Sequence, residues 1–464
     1  MSSYPFSIPA PTRWFSQHSG LWRHTFVIIG VLIGCWLLPL SGSWLLQLLP
    51  LGLLIAVLGS RILLHNSPRA IVALLFTALL LPSPHLPGGF NFAVLHVMAL
   101  LGLWAMSVMI VRRPIVLLPS RTTLPLLVFV GVATLAFVTG QLPWFPAVSP
   151  APLDAQLGGL AIFVLSAGAF FLVACQLREL IWLQRLTWTF LALGAIFIIG
   201  WITPGLGWYT SRLFQRHATA NSVFWIWLVA LASGQALFNR QLRPRWRLAL
   251  GLLVLATLYV AYFRSSGWKS GYLPPLLAIA VMIACRSWRL AIAMGVLGIF
   301  PAAYLISDAL ATDQYSYSTR TEAWLLILEM VKTSPLLGFG PANYYWYTPL
   351  FPIRGWAVVF NSHSQYVDIL AQTGILGLLA FFWFAWEVGW LGFRLRNRVP
   401  AGFAQAYMYS ALGGWVGTLA AGVLVDWFLP FVYNIALRGF RASVLAWLFI
   451  GGLASIEQMY RQHK

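Results

Sequence analysis

The stretch NSHSQYVDILAQTGILGLLAFF, residues 361–382, opens on polar side chains and closes as an apolar run that continues to Trp390. From Gln365 onward its length and composition predict a helix that crosses a membrane, because about 20 apolar residues rising 1.5 Å each cover the hydrocarbon core. Ser362 followed by Gln365 reads as a capping box that opens this helix, which places His363 in the first turn. There the helix dipole favours a nearby anion and disfavours a protonated imidazole. Gln365, Asp368 and Gln372 fall at i, i+3 and i+7, one stripe of an otherwise apolar helix. Polar residues within a span face the bundle interior or a cavity, so this stripe either positions a bound group or hydrogen-bonds to a neighbouring helix.

Working outward from that run, the same pattern recurs along the chain. Of 464 residues, 60% are hydrophobic and 8% charged, with a mean hydropathy of +0.80. No soluble domain hides that much apolar surface, and no alternating segments suggest a β-barrel. The expected fold is all-α, a polytopic transmembrane helical bundle of about eleven to fourteen spans. The runs are 26–40, 44–60, 70–81, 91–111, 123–140, 158–177, 186–202, 222–238, 248–263, 271–285, 290–306, 365–390, 403–425 and 436–455. A long outward loop, 307–364, precedes the twelfth. Three regions follow: scaffold helices over 1–200, a functional region over 201–390, and C-terminal helices over 391–464. Arg13 and Arg23 ahead of Phe26–Leu40 resemble a signal peptide, but no small-x-small site follows, and an uncleaved first helix is expected. Cys35, Cys175 and Cys285 are spaced for neither metal nor disulfide and read as small core residues.

The formal charge is +19, yet the basic residues punctuate the apolar runs instead of forming one face, which argues against nucleic acid. With the N-terminus in the cytoplasm, twenty of the 29 Lys and Arg lie inside. Nine remain outside: Arg212, Arg216, Arg264, Lys269, Arg320, Lys332, Arg354, Arg438 and Arg441. The bias favours this orientation, with both termini cytoplasmic. Seven of the nine fall in three loops, around 203–221, 264–270 and 307–364. Basic residues on the wrong side for topology, gathered in a few loops, suggest an anion-binding outer face; anchoring to lipid headgroups is the plainer alternative.

Four polar insertions carry the candidate chemistry. Arg212, Arg216, His217 and Asn221 precede one span. In YFRSSGWKSGYL, Arg264 and Lys269 flank Ser265, Ser266 and Gly267. The third holds Arg320, Trp324 and the run Pro335 to Gly340, and the fourth is His363 with Tyr366, Leu370, Gly374, Ile375, Leu376 and Gly377. The order Arg-x-x-x-Trp, Pro-Leu-Leu-Gly-x-Gly, His-x-x-Tyr-x-x-x-Leu-x-x-x-Gly-Ile-Leu-Gly, after an Arg-Ser-Gly-type turn, resembles the O-antigen ligase and polymerase superfamily over about 210–390. Two positions depart from that family's pattern: Ser364 stands where Asn is common, and Gln372 where Glu is. Asp368 is then the nearest carboxylate to orient His363.

The resemblance implies transfer of a glycan from an undecaprenyl-diphosphate carrier to a hydroxyl of a glycan, lipid or protein acceptor, on the outer face of the cytoplasmic (inner) membrane. It implies neither metal nor nucleotide cofactor, and membrane lipids as the surroundings. Residue types fit this chemistry. Arginine presents a planar fork of donors suited to phosphate, which points to Arg264 and Arg320, with Arg212, Arg216 and Lys269 as further diphosphate contacts. His363 is the candidate general base for the acceptor hydroxyl. Gln365, Asp368 and Gln372 are assigned to positioning the acceptor or His363. Glu322 is expected to pair with Arg320 or Lys332. The aromatic segment Asn343–Phe360 suits either sugar rings or a membrane interface.

Other patterns carry less. Ser266-x-x-Lys269 lacks the companion motifs of serine acylases, and Gly338-Phe-Gly340 reads as a turn. The histidines are too scattered for a metal site. A secondary transporter for a small anion is the rival class; it predicts polar residues at mid-membrane depth and an inverted repeat. Asp368 and Asp426 are the acids near spans that could relay a proton there. A non-catalytic assembly factor is a further alternative.

Overall fold

A computed structural model describes residues 67–82, 89–111, 118–264, 269–312 and 314–461. The spans expected at 26–40 and 44–60, Cys35, and the Ser265–Trp268 turn lie outside these residues. The chain divides into two units, Met1–Ser67 and Pro68–Lys464.

The described residues are helical, without strands. The main helices are α1 (Ser67–Leu79), α2 (Phe92–Val111), α3 (Thr123–Thr139), α4 (Leu153–Gln176), α5 (Leu180–Ile202), α6 (Ser222–Phe238), α7 (Pro244–Tyr259), α8 (Leu273–Arg286) and α9 (Trp288–Thr312). They continue as α10 (Gln314–Val331), α11 (Gln365–Leu395), α12 (Phe403–Ala421) and α13 (Phe440–Arg461). Each expected run from 70–81 onward finds its helix. Among the described residues, five helical segments are long and apolar enough to cross a membrane by themselves: Leu153–Gln176, Leu180–Ile202, Pro244–Arg264, Gln365–Leu395 and Val432–Arg461. The protein is an all-α helical membrane protein. α6, buried along most of its length, packs against α12 and α8; α13 packs against α4, and α11 against α3.

The region expected as a long loop, 307–364, is largely built. α9 runs to Thr312, and α10 follows. The sequence of α10 is polar overall, but Ala323, Ile327, Met330 and Val331 recur at helical spacing and are its buried face. Ile327, Met330 and Val331 pack with Phe339, Tyr344, Tyr347 and Phe431.

α11 is broken at Gly374, whose φ of 64° and ψ of −170° lie outside any helix. An unbroken helix would bond Ile375 N–H to Ala371 O and Leu376 N–H to Gln372 O. Here Ile375 and Leu376 N–H donate instead to Pro335 O (2.8 Å) and Leu336 O (3.2 Å). Phe339 and Gly340 N–H donate to the two released carbonyls, Ala371 O (2.9 Å) and Gln372 O (3.0 Å). The Pro335–Gly340 run is thus spliced into the break. Non-helical backbone at membrane depth persists only when its polar groups are satisfied in this way. The splice explains why two glycine-rich motifs occur in one chain: a Cβ on Gly338 would sit 2.5 Å from Ala371 O, and one on Gly374 2.2 Å from Leu336 O.

The two ends of α11 differ in charge. Near the end opposite His363, Arg121 pairs with Glu387 (3.3 Å), while Arg394 (2.8 Å) and Arg461 (3.2 Å) pair with Glu457. Arg441, which sequence placed among the outward exceptions, is fully buried; its Nη1 donates to the carbonyls of Thr77, Ala78 and Leu81 (3.1, 3.1 and 2.7 Å). It caps the C-terminal end of α1, where a cation is favoured. Cys175 and Cys285 are free thiols and half-buried, so they are less enclosed than core residues.

Candidate active site

Arg320 and Trp324 stand one turn apart on α10 and face two different loops. Trp324 Nε1 donates to Ser362 O (2.7 Å), holding the turn before α11. Arg320 Nη1 donates to Leu424 O (2.7 Å), holding the loop that leaves α12. Between these loops lies a cavity of about 370 Å³ lined by Arg320, His363, Tyr345, Asn361, Tyr433 and Asn434, among others. One guanidinium and one imidazole therefore share a space of the size that takes small ligands. Among the described residues no carboxylate lies within ion-pair reach of Arg320.

His363 does not sit in the first turn of α11, and Ser362 does not cap that helix. The N-cap is Ser364, which makes no side-chain cap bond, and His363 precedes it with a φ of 51°. The capping-box expectation fails because the Ser362 hydroxyl is engaged elsewhere: it donates to Asp368 Oδ1 (2.7 Å) and accepts from Ser364 N–H (2.9 Å). The Tyr344 hydroxyl donates to the same Asp368 oxygen and accepts from Ser362 N–H (3.3 Å). This tight turn over a buried carboxylate holds a non-glycine residue in the left-handed region, at a cost of about 1–3 kcal/mol. Backbone strain of that kind recurs where a side chain has to be aimed.

Asp426 lies near enough to His363 for its charge to act on the imidazole. It is buried in the loop after α12, and both of its oxygens accept from Asn434 Nδ2 at 3.0 Å. Gln365 sets this loop: its Nε2 donates to Leu429 O (3.2 Å), its Oε1 accepts from Leu429 N–H (2.8 Å), and its own N–H donates to Gly422 O (2.8 Å). Burial lowers the pKa of His363, and the Arg320 charge lowers it further, while the Asp426 carboxylate raises it. Burial raises the pKa of Asp426, against the pull of Asn434 and His363. At neutral pH the imidazole is therefore held neutral, with its lone pair free to accept a proton.

Asp426 entered the sequence analysis only as an acid near a span. Its signal there was a lone carboxylate closing an apolar run, in a chain with ten acids. Its partnership with His363 joins segments well apart in the chain, and no local spacing reports that.

The other expected site residues divide. Asp368 is fully buried beneath the His363 turn. Gln372 Oε1 accepts from Ala342 N–H (3.1 Å) and its Nε2 donates to Asp368 O (3.2 Å), bracing the splice. Arg216 lines a different cavity, about 550 Å³, with Phe197, Trp201, Trp225 and Val260. Arg212 lies over the Trp208 ring at 3.8 Å. Arg264 is exposed at the end of a π-turn, Val260–Arg264, that follows α7, and Lys269 opens a 3₁₀ turn. The first insertion, through Arg216, lines the larger cavity, and the last two meet at the smaller. Glu322 pairs with neither Arg320 nor Lys332. It accepts from Arg354 N–H (2.8 Å) and pairs with Arg354 Nε (3.0 Å), while Lys332 pairs with Glu329. At i+2 from Arg320, Glu322 points around the helix from it, and its partner comes from the tight turn between Ile353 and Trp356.

Residues 223–382 match the family model for O-antigen ligase, which bears out the resemblance drawn from the motifs. The match contains Arg264, Lys269, Arg320 and His363 and ends before Asp426, Tyr433 and Asn434. A search of curated proteins gave no match.

Proposed function

We propose that this membrane protein, with its O-antigen ligase domain over residues 223–382, is a glycosyltransferase that moves a glycan from an undecaprenyl-diphosphate carrier to an acceptor hydroxyl outside the cytoplasmic membrane. The observation that carries the reading is the single cavity holding both His363 and Arg320, with the Asp426 charge acting on the imidazole. The acceptor oxygen attacks the anomeric carbon as the bond from that carbon to the phosphate oxygen breaks. Its proton passes to the neutral imidazole of His363, and the carrier leaves as undecaprenyl diphosphate. The Asp426 charge favours the imidazolium that forms. Arg320, fixed through Nη1 to Leu424 O, is left with N–H groups for the diphosphate oxygens, where charge grows in the transition state. Arg216, in the aromatic cavity, together with Arg212, Arg264 and Lys269, is assigned to the carrier's diphosphate on its approach. Asp368, Gln365 and Gln372 hold the His363 turn, the Asp426 loop and the splice. The paired basic cluster at the far end of α11 supports a cytoplasmic placement of that end.

The test is reconstitution of the purified full-length protein with undecaprenyl-diphosphate-linked oligosaccharide from the producing cell. A ladder of products indicates polymerisation and a single shifted product indicates ligation. No transfer with any acceptor, together with anion uptake into proteoliposomes, would move the assignment to a transporter. Arg320→Ala is expected to lower the rate about 10²–10³-fold, the cost of one preplaced donor at a developing charge.

The pH profile carries a second expectation. The neutral imidazole is the active form, so transfer falls as pH drops through the lowered His363 pKa, with its acid midpoint below the ordinary 6.5. Asp426→Asn removes the charge that raises this pKa and moves the midpoint further to acid, while Arg320→Ala moves it upward. A midpoint that rises in Asp426→Asn contradicts the assignment.

A further inference from the structure

Two aromatic rings in the cavity are left without a role by acid–base and phosphate chemistry. Tyr345 and Tyr433 line the same space as His363 and Arg320. They come from separate one-turn helices, Tyr344–Tyr347 and Val432–Ile435. Their rings are parallel, with centroids 4.5 Å apart and planes within 12°. The pair is anchored from behind. Phe431 stacks on Tyr344 at 4.9 Å and meets Tyr345 edge-on at 6.1 Å, and Trp346 Nε1 donates to the Tyr433 hydroxyl. Tyrosines of an interfacial belt face lipid; these are half-buried, mutually stacked and turned to a polar cavity.

We propose that the Tyr345–Tyr433 pair is a sugar-binding platform on which a pyranose ring rests beside the transfer point. The proposal builds on the glycosyl-transfer reading above. A pyranose has an apolar face of C–H bonds and a rim of hydroxyls. The C–H face lies on the negative face of an aromatic ring. The rim needs paired donors and acceptors, which the Asn361 amide and the Asn434 side-chain oxygen on the same cavity offer. Tyr433 and Asn434 lie beyond the matched domain, so the platform joins that domain to the C-terminal segment. The ring stacked there belongs either to the acceptor or to the first sugar of the donor. Both present the same face, and kinetics separates them.

The experiment uses the full-length protein, Tyr433→Ala and Tyr433→Phe, with two readouts. The first is the KM for donor and for acceptor in the reconstituted assay. The second is saturation-transfer NMR with the oligosaccharide released from the cell's undecaprenyl-diphosphate-linked glycan by mild acid. Tyr433→Ala is expected to raise one KM by about tenfold, the worth of one aromatic stacking contact, with kcat retained at saturation. A raised acceptor KM assigns the ring to the acceptor, and a raised donor KM to the donor. Tyr433→Phe keeps the ring and is expected to stay near wild type. In NMR, ring-proton saturation is expected for wild type and Tyr433→Phe and to be lost in Tyr433→Ala. If Tyr433→Ala melts early, Tyr433→Leu keeps the apolar bulk without an aromatic face and takes its place. Unchanged KM for both substrates, or equal saturation of sugar on wild type and Tyr433→Ala, overturns the platform. NMR reads binding without turnover. A protein that binds sugar through the pair but transfers nothing therefore keeps the platform and loses the transfer reading.

Discussion

His363→Asn is expected to reduce glycan transfer by about 10²–10⁴-fold, the usual loss when a positioned general base is removed. Asparagine is the informative replacement. His363 has a φ of 51°, and an alanine there adds strain that asparagine, a frequent visitor to the left-handed region, largely avoids. Its amide keeps a polar group in the cavity but takes up no proton. Donor KM is expected to hold, because Arg320 and its anchor on Leu424 O are untouched. The thermal midpoint of the purified protein is expected to stay close to wild type, since the Ser362–Asp368–Tyr344 network that shapes the turn does not use the imidazole. Retention of full transfer in His363→Asn removes His363 from the chemistry, whatever the pH profile shows.

Gly374→Ala carries the second large effect, and it acts on folding. The backbone at Gly374 occupies a region open essentially to glycine alone. A Cβ there meets Leu336 O at 2.2 Å, and that carbonyl is the acceptor for Leu376 N–H. Relief requires Pro335–Gly340 to withdraw, which releases buried N–H and C=O groups on both segments. Loss of the four hydrogen bonds of the splice, at about 1 kcal/mol each, costs about 4 kcal/mol. The expected result is a thermal midpoint several degrees lower in detergent and loss of transfer, although Gly374 does not line the cavity. Closing the break as a regular helix turns residues 365–373 relative to the rest of α11, and with them the start of the helix that carries the His363 turn. A Gly374→Ala protein with wild-type melting and turnover shows that the splice is dispensable.

Much of this molecule was legible along the chain. The helices other than α10 follow from apolar runs because a membrane admits only backbone that satisfies itself locally, and that requirement is written into consecutive residues. Arg320 and Trp324, four apart, do face one side of α10 toward the His363 turn and the loop after α12. His363, Arg320 and the glycine motifs were identifiable by type and order. The α10 helix itself was hidden, since its buried stripe is short and its first half is polar.

What only the tertiary structure decided is how distant segments complete one another. Ser362 suits a capping box by spacing, yet its hydroxyl is taken by Asp368, so His363 lies outside the helix in a strained turn. Glu322 had two cations near it in sequence and bonds a third, Arg354, across a fold of the chain. The break at Gly374 is stable only because Pro335–Gly340 supplies the missing partners. Tyr433 and Asn434 reach the cavity from beyond α12, next to the Asp426 loop that Gln365 fastens. Local periodicity reports which backbone groups a residue can satisfy within its own turn. Charge pairing, proton affinity and cavity shape depend on groups brought together across the fold, and those are set by packing.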